Sequence, residues 1–259
     1  YVMSQCPYGT QVMDAIAPVK EKLGDSLDLN IDYILYSEEQ YEGQEDSYCV
    51  EGLCSMHGVP EVKGNIVQLC AEKYNPDKYL DMIVCMDKTA NKIPDNWEQC
   101  AKDNNLAVEK IQACYEGQEG ITLLEESSKR AQEVNARGSP TIYMNDNQYS
   151  GGRDTNAFLR AVCSELKSHP ECENIPKCSQ DSDCPSKEGK VAVCKNPGTD
   201  EAECVYSEPK KVEVNFITDD RCEKCNPSQI NQVTQNLFPG ADFNEVKFSS
   251  DKGKEMMEK

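Results

Sequence analysis

Fifteen cysteines in 259 residues are the feature that most constrains this chain. Glutathione keeps cytosolic thiols reduced, so a cysteine content this high is typical of a protein in an oxidising compartment. A zinc site needs cysteine and histidine clustered at ligand spacing, yet His57 and His169 are the only histidines and most cysteines stand far from the next one. We therefore expect disulfides, no metal, and an extracytoplasmic location (secreted, periplasmic, or in an endomembrane or lysosomal lumen).

The charge of the chain limits its partners. The sequence has 46 acidic and 27 basic residues, a formal net charge of -19. Such a surface repels phosphate backbones and anionic lipids, so nucleic acid is excluded as a partner. No apolar run reaches the roughly eighteen residues that a membrane span needs. The chain has no signal peptide, and its first residues resemble the end of a strand, which predicts that residues precede Tyr1 in the natural protein.

The first 35 residues have the pattern of a βαβ unit. Residues 1–3 are apolar, and a Cys-Pro-Tyr-Gly turn at residues 6–9 leads into apolar positions at helical spacing through Leu23. Residues 27–35 alternate in the way expected of a strand with one buried face. A strand, a helix and a second strand are therefore predicted.

A helical insertion is expected at about residues 45–136, after a polar acidic segment at residues 37–44. Strand character returns at residues 138–144, and an Asn-Asp-Asn turn leads to a short partner strand at residues 148–150. Residues 154–166 then form an amphipathic helix with Asp154 as its N-cap. These elements predict a first domain over residues 1–167.

Two smaller units are predicted after the first domain. Residues 168–208 are rich in Pro, Gly, Asp and Lys and hold five cysteines, which favours a small disulfide-stapled module. Residues 209–259 begin with a strand at residues 212–218 that runs into Cys222-Glu223-Lys224-Cys225 and a helical pattern. This segment resembles the start of the chain, so it predicts a partial second domain of the same kind. Cys222 and Cys225 are candidate redox cysteines; the alternatives are a structural disulfide or half of a metal site.

Cys6 is the leading candidate nucleophile. A cysteine where a strand turns into a helix lies near unpaired N–H groups and the positive end of the helix dipole, which stabilise its thiolate. Such positions can lower a cysteine pKa from about 8.5 to between about 3.5 and 7.5. Pro7 suits the first turn of that helix, where no N–H donor is needed. The alternative is that Cys6 belongs to a structural disulfide.

Two short motifs carry a family resemblance. Cys6-Pro7-Tyr8 resembles the start of the CPYC and CPHC active sites of glutaredoxins and DsbA proteins. Residues 138–141, Gly-Ser-Pro-Thr, resemble the cis-proline loop of the same families, which lies beside the active-site sulfur. The resemblance implies an α/β, thioredoxin-like fold of the DsbA type. It also implies a substrate groove formed by Pro7, Tyr8, Ser139, Pro140 and Thr141.

The insertion resembles the gamma-interferon-inducible lysosomal thiol reductase family, whose signature reads CQHGxxECxxNxxxxC. His57, Gly58, Glu61, Asn65 and Cys70 keep that spacing. We expect His57 to support the insertion through a hydrogen bond, with a role near the sulfur as the alternative.

Three departures from the reductase pattern affect the chemistry. Ser55 and Val62 replace two signature cysteines, and Gly9 replaces the second active-site cysteine. Without that resolving thiol, another thiol must release a trapped substrate, so Cys6 is expected to act as a monothiol. It could exchange with glutathione, isomerise substrate disulfides, use a resolving thiol elsewhere in the chain, or hold clients without turnover.

The resemblance implies thiol–disulfide exchange on protein substrates, by a reductase or isomerase that needs no cofactor except glutathione or a redox partner's thiol as co-substrate. The alternative is a non-catalytic, thioredoxin-like binding or structural module of a secreted protein. With Cys6 single, fourteen cysteines remain, which can form seven pairs. Sequence alone leaves the connectivity open. Our hypothesis pairs residues 49 with 54, 70 with 114, 85 with 100, 163 with 172, 178 with 194, 184 with 204, and 222 with 225.

Overall fold

The computed structural model describes residues 1–166, 168–173, 175–219, 221–222, 230, 234, 238 and 240–258. Its helices are α1 Pro7–Leu23, α2 Glu45–Tyr48, α3 Val59–Tyr74, α4 Tyr79–Asp87, α5 Trp97–Asp103, α6 Val108–Tyr115, α7 Gln118–Glu133, α8 Thr155–Glu165 and α9 Asp251–Met257. Its strands are β1 Tyr36–Ser37, β2 Cys49–Val50, β3 Leu53–Cys54, β4 Tyr143–Met144, β5 Asn147–Gln148, β6 Val191–Lys195, β7 Glu203–Ser207, β8 Val212–Thr218 and β9 Ala241–Lys247.

Short extended segments meet at the centre of the first domain. Val2 and Tyr33 form a parallel bridge, and helix α1 connects them, as a βαβ unit requires. On the other side, Tyr1 and Thr141 exchange two backbone hydrogen bonds of 2.9 Å. The hairpin of β4 and β5 continues from there. The predicted βαβ order is therefore present, although its strands are short.

The strand predicted over residues 27–35 is wrong in its extent, because only the single bridge at Tyr33 pairs it with the first segment. Its predicted one-sided burial is also wrong, since every residue from 31 to 35 is buried. Helices cover both faces of this region, as is typical of parallel α/β sheets. On one face, α1 packs against α8 through Val12, Ile16 and Phe158. On the other, Tyr33 packs into the helical insertion.

The insertion is helical, as predicted, and runs from α3 to α7, with a break at Asn75 to Lys78 and another between α4 and α5. A small three-stranded sheet in the order β1-β3-β2, which the sequence did not predict, places β2 and β3 within the first part of the segment predicted as helical at about residues 45–136. The predicted N-cap is confirmed, because Asp154 accepts the N–H groups of Asn156 and Ala157 at 3.0 and 3.1 Å. The predicted turn is also present: Asn145 and Asp146 have positive φ in the β4–β5 hairpin.

The cysteine-rich module contains an antiparallel hairpin of β6 and β7 that the sequence did not predict. Arg160 of α8 anchors the module by donating to the Pro176 carbonyl at 2.9 Å and by an ion pair with Asp183, whose side chain is 3% exposed. Strand β8 is present as predicted and pairs in parallel with β9. The helix predicted after Cys222 falls largely outside the described residues.

Six disulfides connect the described residues: Cys49–Cys54, Cys70–Cys114, Cys85–Cys100, Cys163–Cys172, Cys178–Cys194 and Cys184–Cys204. They confirm six of the seven hypothesised pairs. Cys222 is disulfide-bonded, and Cys225 lies outside the described residues. Within the described part of the chain, no helix has both the length and the apolar character to cross a bilayer.

Candidate active site at Cys6

Cys6 is the N-cap residue of α1, and Pro7 occupies the first turn. The Cys6 N–H donates to the Met3 carbonyl at 3.1 Å, while the Cys6 carbonyl accepts the Thr10 N–H at 2.9 Å. Among the described residues Cys6 is the one free cysteine, and it is 8% exposed. The sulfur therefore lies at the positive end of a 17-residue helix.

The loop of residues 138–141 lies beside this sulfur. Its Ser139–Pro140 peptide bond is cis, as the family resemblance implies. The Cys6 thiol donates to the Ser139 carbonyl with 3.6 Å between sulfur and oxygen. The Ser139 hydroxyl accepts the Met3 N–H at 3.0 Å. Residues separated by more than 130 positions in sequence thus share one site.

Gly9 closes the inner side of the site. A Cβ atom at this position would lie 2.7 Å from Ser139 Oγ and 2.8 Å from the Met3 carbonyl oxygen. Both distances are shorter than a Cβ atom tolerates, so neighbouring atoms occupy the space that a side chain at position 9 would need. The position where related sites carry a second cysteine is therefore filled by neighbouring atoms.

Helix α3 holds the residues that precede Cys6. Asn65 Oδ1 accepts the Ser4 N–H at 3.1 Å, and Glu61 Oε1 accepts the Gln5 N–H at 2.9 Å. The Ser4 hydroxyl donates to the Glu61 carbonyl at 3.2 Å, and Gln5 Nε2 donates to the Ile93 carbonyl at 2.5 Å. The insertion therefore contacts the loop directly.

Glu61 is a wholly buried carboxylate with partners on two sides. His57 Nδ1 lies 3.0 and 2.9 Å from its two oxygens, and the Ser55 hydroxyl also donates to it. The predicted hydrogen-bonding role of His57 is thus confirmed. Gly58, between these residues, has a φ of +90°, which an L side chain rarely adopts. Glycine is therefore required where the chain enters α3.

Tyr36 borders the same site. Burial raises the pKa of its phenol, and the nearby Glu61 and Cys6 raise it further. Its hydroxyl donates to the Arg137 carbonyl at 3.0 Å, next to the cis-proline loop. Tyr36 therefore stays protonated and ties β1 to that loop.

The structure brings together one group of predicted site residues. Ser139 contacts the Cys6 sulfur, Pro140 and Thr141 follow it as half-buried residues of the same loop, and Pro7 and Tyr8 are exposed at the start of α1. Tyr8 is 62% exposed, so it faces solvent where a substrate could approach.

The second candidate pair is described only in part. Cys222 follows β8, as the sequence predicts, and Cys225 lies outside the described residues. A different cluster has its ligand atoms at metal spacing: the sulfurs of Cys178, Cys184 and Cys204 lie within 4.8 Å of one another. All three are disulfide-bonded, so they offer no thiolate to an ion.

Sequence reasoning missed Tyr36, Ser4 and Gln5, and did not assign Glu61 or Asn65 to the site. The signature spacing from His57 to Asn65 was the available signal, because residues four apart share a helix face. The spacing could not indicate that this face of α3 contacts the loop before Cys6.

Comparison with known protein families agrees with this geometry. Residues 1–104 match the family model of gamma interferon inducible lysosomal thiol reductase (GILT). Residues 57–163 match a thioredoxin family model. No match was found among curated proteins. The two family matches support a GILT-like, thioredoxin-fold thiol reductase, and they suggest thiol–disulfide exchange.

Proposed function

We propose that this chain performs thiol–disulfide exchange on protein substrates with Cys6 as its nucleophile. One observation carries the proposal: the free Cys6 begins α1, and its sulfur lies 3.6 Å from the carbonyl oxygen of Ser139 in the cis-proline loop. A helix N-terminus favours the thiolate, which is the attacking species. Glutathione or a partner thiol serves as co-substrate, and no metal or organic cofactor is needed.

The proposed reaction has two displacements. The Cys6 thiolate attacks one sulfur of a substrate disulfide, a Cys6–substrate bond forms, and the other substrate sulfur leaves as a thiolate that takes up a proton. A second thiolate, from glutathione or from the substrate, then attacks the substrate sulfur of the mixed disulfide and releases the Cys6 thiolate. With glutathione, the product is a substrate–glutathione disulfide, which a second glutathione cleaves to give the reduced substrate and oxidised glutathione. With a substrate thiol, the product is a new substrate disulfide, which is isomerisation. Gly9 supplies no internal resolving thiol, so the proposed mechanism is monothiol.

Substrate binding is proposed along the exposed edge of the site. In this proposal Pro7 and the exposed Tyr8, which follow Cys6, form one side of the groove, and Ser139, Pro140 and Thr141 of the cis-proline loop form the other. Backbone groups of a cis-proline loop can pair with an extended peptide, as in DsbA-type proteins. The six described disulfides favour an extracytoplasmic compartment for this activity.

Insulin reduction by glutathione tests the proposal. Wild-type protein should accelerate the reaction, Cys6→Ser should lose the acceleration, and Cys222→Ser with Cys225→Ser should keep it. At low glutathione, mass spectrometry should find a mixed disulfide at Cys6 of the wild type, because no internal thiol removes it. Full activity in Cys6→Ser would overturn the proposal and move the chemistry to Cys222 and Cys225.

A second candidate function is a non-catalytic module that binds thiol-containing clients. The burial of Cys6, at 8% exposure, and the closed packing at Gly9 favour it. In the insulin assay this alternative predicts no acceleration by wild type or by Cys6→Ser. A separate binding measurement should then find that both proteins bind the client.

A further inference from the structure

The two residues before Cys6 take their hydrogen bonds from helix α3. Buried backbone N–H groups require an acceptor, and those of Ser4 and Gln5 find theirs in the side chains of Asn65 and Glu61, at 3.1 and 2.9 Å. Met3 and Cys6, on either side, use Ser139 Oγ and the Met3 carbonyl instead. The insertion thus supplies two acceptors that the local chain lacks.

We propose that Glu61 and Asn65 are positioning residues for Cys6, which fix the sulfur beside the cis-proline loop by accepting the N–H groups of Gln5 and Ser4. This inference rests on the proposed exchange chemistry at Cys6 and extends it into the insertion. Neither side chain needs to touch the substrate, because both act through the backbone that carries the sulfur.

The close approach of α3 to this loop supports the proposal. A Cβ at Gly64 would lie 2.6 Å from Ser4 Oγ and would also overlap the Ile93 side chain. Only glycine lets the helix and the loop come this near. Ser4 Oγ and Gln5 Nε2 add two further hydrogen bonds to the Glu61 and Ile93 carbonyls.

Burial and further hydrogen bonds stabilise the contact between Glu61 and the loop. Its carboxylate is 0% exposed and accepts from Gln5 N, Ser55 Oγ and His57 Nδ1. A buried oxygen that loses its hydrogen-bond donor is destabilised. Moving the loop away from Glu61 would therefore leave a buried oxygen without one of its donors.

Position matters for this chemistry because the sulfur must meet a substrate disulfide held by a separate loop. A displacement of about 1 Å can lower a rate by about a hundredfold. Since Cys6 and Ser139 are brought together by contacts across the fold, loss of the α3 contacts should reduce the exchange rate more than it reduces the folded fraction.

Matched variants test this. Asn65→Ala removes the acceptor of the Ser4 N–H, while Asn75→Ala, at the other end of α3, removes an equivalent acceptor of the Ala107 N–H at 2.9 Å. Glutathione exchange at Cys6 should slow about tenfold or more in Asn65→Ala and stay near wild type in Asn75→Ala. Equal losses in the two variants would overturn the proposal.

Glu61 gives a rescue experiment. Glu61→Ala should slow exchange about tenfold or more, whereas Glu61→Gln keeps an oxygen for Gln5 N and should remain within about threefold of wild type. An Ala variant as fast as the Gln variant would contradict the proposal. Circular dichroism verifies folding, and Asn65→Ala carries the test where Glu61→Ala does not fold.

Amide hydrogen exchange separates this inference from the proposed function. The Ser4 and Gln5 amides should lose protection in Asn65→Ala and Glu61→Ala respectively, whether or not the chain is an enzyme. Unchanged protection would overturn the positioning role. Thiol–disulfide exchange by the wild type that does not depend on Cys6 would instead defeat the proposed function. The amide protection would still show whether Glu61 and Asn65 hold the loop before Cys6.

Discussion

At the scale of single residues, the chemistry of this site depends on the space around position 9. Gly9 is buried in the first turn of α1, where a Cβ would meet Ser139 Oγ at 2.7 Å and the Met3 carbonyl at 2.8 Å. The same Ser139 contacts the Cys6 sulfur through its carbonyl. The packing of the cis-proline loop against α1 therefore leaves no room for a second thiol at position 9.

Gly9→Ala should consequently destabilise the protein. Alanine normally stabilises a helix interior relative to glycine by about 1 kcal/mol, but overpacking here should outweigh that and lower the free energy of unfolding by about 1–3 kcal/mol. Gly138→Ala is the control, because a Cβ there meets no atom within 4 Å. Urea unfolding measures both, and equal midpoints would contradict the packing argument.

Sequence motifs predicted Cys6 and the cis-proline loop because each lies in a short, contiguous pattern. The contacts of Glu61 and Asn65 could not be predicted in the same way. They join positions 56 and 61 residues apart, and nothing in a local pattern indicates which loop a helix face will meet. The signature spacing identified the face of α3 and left its partner open.

At the scale of elements, periodicity predicted helices better than strands. The stripes of α1 and α8 were visible because one face of each helix is exposed. Residues 31–35 are buried on both sides, so the alternation that predicted a half-exposed strand did not describe their burial. Strands β1 to β3 have two residues each, too few for any pattern.

The disulfides that connect these elements stabilise the fold to different degrees. Cys70–Cys114 joins α3 to α6 across 44 residues and is fully buried, whereas Cys49–Cys54 spans only 5 residues between adjacent strands. Closing a longer loop restricts the unfolded chain more. Helix α3, which carries Glu61 and Asn65, should therefore depend mainly on the first bridge.

Removing the two bridges separately tests this ranking. Replacing Cys70 and Cys114 by alanine should lower the free energy of unfolding by about 2 kcal/mol more than the same change at Cys49 and Cys54, from loop entropy alone. Guanidinium unfolding without reductant measures both double variants. An equal or reversed order would show that the short bridge stabilises the fold by other means.

At the scale of the whole molecule, the fold places two acidic groups, Glu72 and Asp87, in partly buried positions. Burial, with a smaller contribution from Asp14 of α1, raises the pKa of Asp87 in α4 to about 8. Both Asp87 carboxylate oxygens are buried without a hydrogen-bond partner among the described residues. Burial also raises the pKa of Glu72 to about 7, with Asp32 adding to the rise and Arg130 opposing it. A chain with this interior should be more stable in acid than in mild alkali.

The direction of this pH dependence follows from proton binding to Asp87 in the folded and unfolded states. Below its unfolded pKa of about 4, Asp87 is protonated in both states and its contribution is complete. As the pH rises towards about 8, the unfolded carboxyl ionises while the folded one keeps its proton, so stability falls by about 1.4 kcal/mol per pH unit. Asp87→Asn removes this titration while keeping the shape of the side chain.

Asp87→Asn should therefore gain about 4 kcal/mol in free energy of unfolding relative to wild type between about pH 5 and about pH 8. Asp81→Asn, an exposed change on the same helix, should leave the wild-type pH dependence intact. Urea unfolding at the two pH values gives each difference. A gap between wild type and Asp87→Asn that stays constant with pH would mean that Asp87 is ionised in the folded protein. In that case the expected loss of stability at higher pH would have to come from Glu72 or be absent.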